Sequence, residues 1–287
     1  MLAAAKKFEL KICTAQITLW EILLLKMYLH GKMMSALMLI ERAEMNMVLQ
    51  VRELKKSFGK TKAVDGISFA LEEGQVIGLL GPNGAGKTTT LKCIAGLLRK
   101  DDGSVTIGGL DHRDDKARFR MAYIPEAPDI YDMLTVWEHM KFIALAYNLA
   151  DWEQEAEALL ERFDLSDKRG GLGAHLSKGM KQKTSICCAL LHHPDVLLFD
   201  EPLVGLDPRA MRQLKNAFFD LKADGKTLLI STHMLDTAQS LCDRVLVMKN
   251  GRLITEGTVE ELREQMKASA DSTLEDLFLE VMADEQQ

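Results

Sequence analysis

Gly81-Pro82-Asn83-Gly84-Ala85-Gly86-Lys87-Thr88-Thr89 is the stretch from which the rest of the chain is read. It follows the pattern G-x-x-x-x-G-K-[ST], whose glycines let the backbone curl until its N–H groups converge on phosphate oxygens. The flanks fit that chemistry. Val76-Ile77-Gly78-Leu79-Leu80 enters as a short apolar strand, and Thr89 to Leu98 leaves with apolar residues at helical spacing. The loop therefore stands at a helix N-terminus, whose dipole favours an anion. In this motif Lys87 reaches the β- and γ-phosphates and the Thr88 hydroxyl serves Mg²⁺.

Two further stretches acquire meaning once that loop is present. Val196-Leu197-Leu198-Phe199-Asp200-Glu201 is an apolar strand ending in two acids. Asp200 at the strand tip suits a Mg²⁺ ligand, direct or through water, and Glu201 is placed to polarise an attacking water. Alone, such a run is as readily a solvated strand end. Thr227 to Ile230 forms the next buried strand, and Ser231-Thr232-His233 follows it. A histidine at the carboxyl end of a strand in an α/β sheet faces the ligand crevice, so His233 is read as a contact to the γ-phosphate rather than as a structural residue.

The 287 residues allow one or two domains with a sizeable core. Apolar residues make up 47% and charged residues 27%, ordinary values for a globular protein, and the net charge of -6 argues against a nucleic-acid surface. The five cysteines show no C-x-x-C spacing, which points to inert thiols in a reducing compartment rather than to a metal or redox site. Ile17 to Leu29 is interrupted by Glu21 and Lys26 and is too short to span a bilayer, and no cleavage site follows it. A cytoplasmic location is expected.

Residues 1 to 46 differ from the rest. Met1 and six further methionines (27, 33, 34, 38, 45 and 47) fall here or one residue beyond, out of 16 in the chain. The segment reads as an amphipathic helix lying on a membrane or on a partner helix, as an ordinary accessory helix, or as the product of a start assigned too early. We adopt the last, with Met45 or Met47 as the start, because a complete domain begins at Val48. From there, Val48 to Leu54 and Ala63 to Leu71 read as strands, with a turn over Lys55 to Lys60. Ser104 to Gly108 and Ala122 to Ile124 are short strands. Thr135 to Leu149 and Trp152 to Phe163 are helices, Gly170 to Gly173 is a flexible loop, and Ser177 caps another helix. Arg244 to Met248 opens a hairpin with an Asn250-Gly251 turn, and the chain becomes helical from Val259.

Leu176-Ser177-Lys178-Gly179-Met180-Lys181-Gln182 resembles the signature motif of ABC transporter ATP-binding subunits. Gly205-Leu206-Asp207-Pro208 resembles their D-loop, and His233 their switch histidine; the motifs fall in the family's order over residues 48 to about 260. The resemblance implies a head-to-tail dimer in which each ATP lies between the phosphate loop of one subunit and the signature helix of the other. Ser177 and the Gly179 N–H would then face the γ-phosphate in trans, and Asp207 would reach across the dimer. Phe58 stands where the family places its adenine-stacking aromatic, with a core phenylalanine as the competing reading. Two positions depart from the family pattern. Lys178 and Met180 stand where Gly and Gln are usual, and Glu126 follows Tyr123-Ile124-Pro125 where the coupling loop usually has Gln. A carboxylate at Glu126 can still ligate Mg²⁺ or its water.

Within the family, Pro125 to Tyr131 and Ser177 to Lys183 are most similar to exporter-type (ABC-2-like) subunits of the bacterial Ecs-type subgroup, and Thr273 to Phe278 is similar to the short C-terminal helix of such exporters. The expected architecture is an α/β P-loop nucleotide-binding domain over residues 48–260. It combines a mainly parallel core sheet, an antiparallel β-subdomain and a helical insertion near residues 126–190, followed by an acidic helical tail over 261–287. The expected function is ATP hydrolysis that powers a membrane transporter. ATP and Mg²⁺ would be the ligands; a separate permease and a second ATP-binding subunit, identical or not, would be the partners. The chain would lie on the inner face of the membrane through that permease. A chromosome-maintenance ATPase would need a coiled coil for which the interval from Lys87 to Asp200 has no room. A translation-associated ATPase would carry two cassettes. A soluble assembly ATPase without a membrane partner is the remaining alternative.

Overall fold

The computed structural model describes residues 47–265, 273–276 and 278. The N-terminal extension and most of the acidic tail lie outside the described residues. The core is a six-stranded sheet in the order β10-β9-β3-β8-β7-β6, formed by β3 (Val76–Leu80), β6 (Met121–Ile124), β7 (Val196–Asp200), β8 (Thr227–Thr232), β9 (Arg244–Lys249) and β10 (Arg252–Gly257). Its strands pair in parallel except at the β9–β10 hairpin. Strands β3, β7 and β8 are buried along their whole length, as continuous apolar runs covered on both faces should be.

A second, antiparallel sheet has the order β2-β1-β4-β5, from β1 (Met47–Phe58), β2 (Thr61–Glu72), β4 (Asp102–Ile107) and β5 (Leu110–Asp111). The expected turn over Lys55 to Lys60 is shorter than anticipated. Pairing with β2 carries β1 through to Phe58, and only Gly59 and Lys60 form the turn. Leu49, Leu54, Ile67, Ile107, Leu91 and Leu198 belong to one apolar cluster shared by both sheets and by α1 (Lys87–Ile94). At the rim, Asp65 on β2 takes two bonds from Arg252 on β10, at 3.1 and 2.8 Å. Arg252 and Lys62 hold the Asp65 carboxyl below its ordinary range.

Helix α1 is shorter than the Thr89 to Leu98 periodicity suggests. Gly96 takes φ +72 and turns the chain out, leaving Leu97 exposed. The short α2 (Asp115–Phe119) precedes β6, and three helices lie between β6 and β7: α3 (Val136–Ala146), α4 (Trp152–Arg162) and α5 (Lys178–Leu190). Thr135 and Glu138 cap α3 reciprocally, which satisfies two otherwise orphaned N–H groups. The segment read as a flexible loop is open at Gly170 and closely packed at its far end. Leu172 bridges Thr135, and a Cβ on Gly173 would stand 2.4 Å from the Tyr131 carbonyl oxygen, so this glycine serves close approach. Helices α6 (Pro208–Ala223), α7 (Leu235–Leu241) and α8 (Val259–Gln265) follow, and residues 274–276 are again helical, with Leu274 buried. Phe199 on β7 meets Phe218 on α6 edge to face at 4.7 Å.

Candidate functional site

The phosphate loop curls between β3 and α1 because its glycines have no alternative residue. A Cβ on Gly81 would lie 2.4 Å from the Met248 carbonyl oxygen, and one on Gly86, at φ +105, only 2.2 Å from that of Ala63. Gly251 N–H donates to Ala85 O at 3.0 Å and ties the loop to the β9–β10 turn. Gly84 takes φ +82 at the exposed crest beside Pro82 and Asn83, and Thr89 follows in the first turn of α1. Lys87 is buried and donates to Gly81 O at 2.7 Å and Pro82 O at 3.3 Å.

Asp200 and Glu201 follow from β7, whose parallel register with β8 sets Asp200 opposite Ser231. Thr88 Oγ1 and Ser231 Oγ donate to Asp200 Oδ1 at 2.9 and 2.7 Å, and Tyr123 Oη donates to Oδ2 at 3.1 Å. Glu201 adopts φ +46, a conformation costly for a residue with a Cβ. Its N–H is held by Ser231 Oγ at 3.0 Å and Ser231 O at 3.1 Å. Its side chain is nearly buried, with Oε1 3.3 Å from Lys87 Nζ and Oε2 3.0 Å from His233 Nδ1. Lys87, Thr88, Asp200, Glu201 and His233, drawn from three separate stretches of sequence, thus form one cluster. Ser231 and Tyr123 were quoted within motifs but given no role. Their hydroxyls enter the cluster through strand register, and a hydroxyl at a strand's carboxyl end beside the acids was the available signal.

The donor set suits Mg²⁺. Thr88 and Asp200 offer hard oxygens only, and among the described residues no group of three or more His, Cys, Asp or Glu side chains could hold a metal. Mg²⁺ is usually bound through one or two carboxylates together with substrate phosphates, not by an all-protein cage. Glu126 is exposed beyond the end of β6 and makes no hydrogen bond or ion pair among the described residues; its charge adds to the upward shift of the Tyr123 hydroxyl, after burial and Asp200.

The remaining residues stand apart from this cluster. Phe58 is 51% exposed, which removes the core reading, and the Lys56 ammonium lies 5.4 Å from its ring centre. Ser177 caps α5 by accepting from Met180 N–H at 3.3 Å, and Asp207 caps α6 by accepting from Arg209 and Ala210 N–H, both at 2.9 Å. These two caps are neighbours. Lys178 Nζ donates to Val204 O at 2.5 Å, and a Cβ on Gly179 would meet the Ala210 Cβ at 3.2 Å. None of Ser177, Gly179 and Asp207 hydrogen-bonds the Gly81–Thr89 loop among the described residues.

The family profile described as "ABC transporter" matches residues 64–204. The ATP-binding protein EcsA of an ABC-type transporter from Bacillus subtilis is 39% identical over 82% of this chain and 96% of its own length. This chain belongs to the ABC transporter ATP-binding family. The linearmycin resistance ATP-binding protein LnrL of Bacillus subtilis is 36% identical over 75% of this ABC subunit and 70% of its own length. A solved ATP-binding subunit of an ABC transporter superposes with a TM-score of 0.76 at 37% identity, over 82% of this chain and 99% of that one. A second solved cassette, in its ADP conformation, gives 0.69 at 28% identity, over 81% and 98% of the two chains. The ABC subunit binds and hydrolyses ATP to power a transporter. Subunits of this family work with membrane permeases and dimerise. These relatives leave the soluble assembly ATPase without support. No helix among the described residues is long and apolar enough to cross a membrane.

Proposed function

We propose that this ABC subunit drives an exporter of the Ecs-like type, and that Glu201 is the general base for ATP hydrolysis. The observation that carries the base assignment is the placement of Glu201: its backbone is pinned twice by Ser231 while its carboxylate lies between Lys87 and His233. An arriving γ-phosphate competes with Glu201 for the Lys87 ammonium and leaves the carboxylate to take a proton from water. His233 steadies that carboxylate through Nδ1 and turns its other nitrogen outward to the γ-phosphate. Thr88 and Asp200 would hold Mg²⁺, which would neutralise charge on the β- and γ-phosphates. Backbone N–H groups of Gly81 to Thr89 would cradle the phosphates, and Phe58 would stack on adenine.

The separation of Ser177, Gly179 and Asp207 from that cluster supports a site completed by a second ATP-binding subunit. Helix α5, capped by Ser177, would then present its N-terminus to the γ-phosphate of the other subunit. The ATP-binding domain would span 48–260, with residues 126–190 as its helical part and 261–287 as a tail. An apolar groove of about 530 Å³ lies beside the Glu126 loop, lined by Tyr123, Ile130, Tyr131, Phe142 and Ile143 among others. It is the proposed seat of the permease, which would hold this subunit at the inner face of the membrane while Glu126 relays its motion. The export direction is supported by the Nod factor export ATP-binding protein I of Ralstonia nicotianae, 38% identical over 75% of this chain and 68% of its own length. Glu201→Gln should lower turnover by about 10²- to 10⁴-fold and accumulate an ATP-bound dimer on light scattering. Unchanged turnover would remove Glu201 from the base role.

A further inference from the structure

We propose that Tyr123 is a positioning residue for Asp200 and that it joins the metal site to the wall of the apolar groove. The inference rests on Asp200 as the Mg²⁺ ligand and on the groove as a docking seat, and adds a physical connection between them. Tyr123 sits on β6 in parallel register with Leu198, two residues before Asp200 on β7. Its hydroxyl donates to Asp200 Oδ2, whereas Thr88 and Ser231 both donate to Oδ1. Oδ1 thus keeps two donors without Tyr123, whereas Oδ2 has the Tyr123 hydroxyl as its side-chain donor among the described residues, so the phenol sets the position of that oxygen.

The same side chain lines the groove, together with Ile143 from α3 and Ser185 and Ala189 from α5. A body seated there therefore reaches Asp200 through a single side chain. That route bypasses Glu126, which is exposed and makes no hydrogen bond among the described residues. A hydroxyl that orients a ligating carboxylate tunes metal affinity without touching the metal.

Tyr123→Phe in the full chain keeps the ring and the groove wall and removes only the hydroxyl. Mn²⁺ binding in the presence of excess ADP, read by electron paramagnetic resonance, should weaken by about tenfold, while ADP binding in EDTA is unchanged. The Mg²⁺ concentration that half-saturates the ATPase should rise in parallel, with kcat largely recovered at saturating Mg²⁺. A purely structural role would lower kcat and the melting temperature at unchanged Mn²⁺ affinity, and that result overturns the assignment. The groove connection is tested by Ser185→Cys carrying a benzyl disulfide adduct attached after folding, with the parent chain treated in the same way as control. The adduct should shift Mn²⁺ affinity when Tyr123 is present and not in the Tyr123→Phe chain; equal shifts in both overturn the connection. Asp200→Asn separates the underlying reading. If it leaves Mn²⁺ binding intact, the ligand assignment fails and the proposal with it; if it abolishes binding while Tyr123→Phe does not weaken it, only Tyr123 is removed.

Discussion

Asp200 accepts from three hydroxyls on three different elements, and Glu201 meets both Lys87 and His233. Ser177 and Asp207, by contrast, are exposed and accept only from the first turns of the helices they cap. In the first region Lys87, Asp200, Glu201 and Ser231 are buried and the polar groups satisfy one another, with Thr88 and His233 at its open side. The second spends its side chains on helix N-termini and keeps its outer face unengaged. A cluster satisfied internally holds catalytic groups in place before substrate arrives, whereas an exposed capped N-terminus is prepared for an anion brought by another surface.

The contrast breaks most severely at Gly86. Gly86→Ala sets a Cβ 2.2 Å from a carbonyl oxygen at a strongly positive φ, so a loss of about 3 kcal/mol in urea unfolding is expected, with loss of fluorescent-nucleotide binding. Phe58→Ala should weaken nucleotide binding by about 1–2 kcal/mol through lost stacking. Because the ring is exposed, it should leave unfolding free energy within about 0.5 kcal/mol of the parent. Ser177→Ala sharpens the contrast. It should cost about 1 kcal/mol of stability as a lost cap. Its ATPase should fall by about tenfold or more while nucleotide binding by the isolated subunit is unchanged; loss of binding in the monomer would place Ser177 in the same-chain site instead.

The smallest effect concerns acid stability beneath the groove. His192 is buried, stacks on Tyr147 at 4.2 Å, and burial holds its pKa below the ordinary 6.5. The folded chain therefore binds fewer protons than the unfolded one in that range. The stability His192 contributes is present above pH 6.5 and is lost as the pH falls through its lower folded value. His192→Phe keeps a ring against Tyr147 and should flatten the fall in melting temperature below pH 6.5; an unchanged pH slope would show that other groups govern it.

The phosphate loop, the Asp200-Glu201 pair and His233 were legible because each is a short motif whose chemistry is set by neighbours in sequence. Ser231 and Tyr123 were not, because their roles come from parallel register between strands that no local pattern specifies. Helix α6 was missed although Asp207-Pro208 supplies both a cap and a favoured first residue. The hairpin after Met248 was plain from Asn250-Gly251, whose positive φ values suit the turn. Gly173 looked like slack in the chain and proved to be a point of close packing, a distinction visible only once Tyr131 lies against it. Among the described thiols, Cys242 is half-buried. Cys93, Cys187 and Cys188 are buried, and burial pushes Cys93 up to about 11 and Cys188 to about 12.

Strand β3, which carries the phosphate loop, is flanked on both sides, whereas β6 is an edge strand paired only with β7 among the described residues. The helices between β6 and β7 leave the sheet at its rim and return one strand inward. The scaffold is thus stiff beneath the nucleotide and compliant beneath the groove. A push on the insertion is spent first on the strand that yields most easily, much as a plank clamped along one margin flexes at the other, while the anchorage of the phosphates stays still.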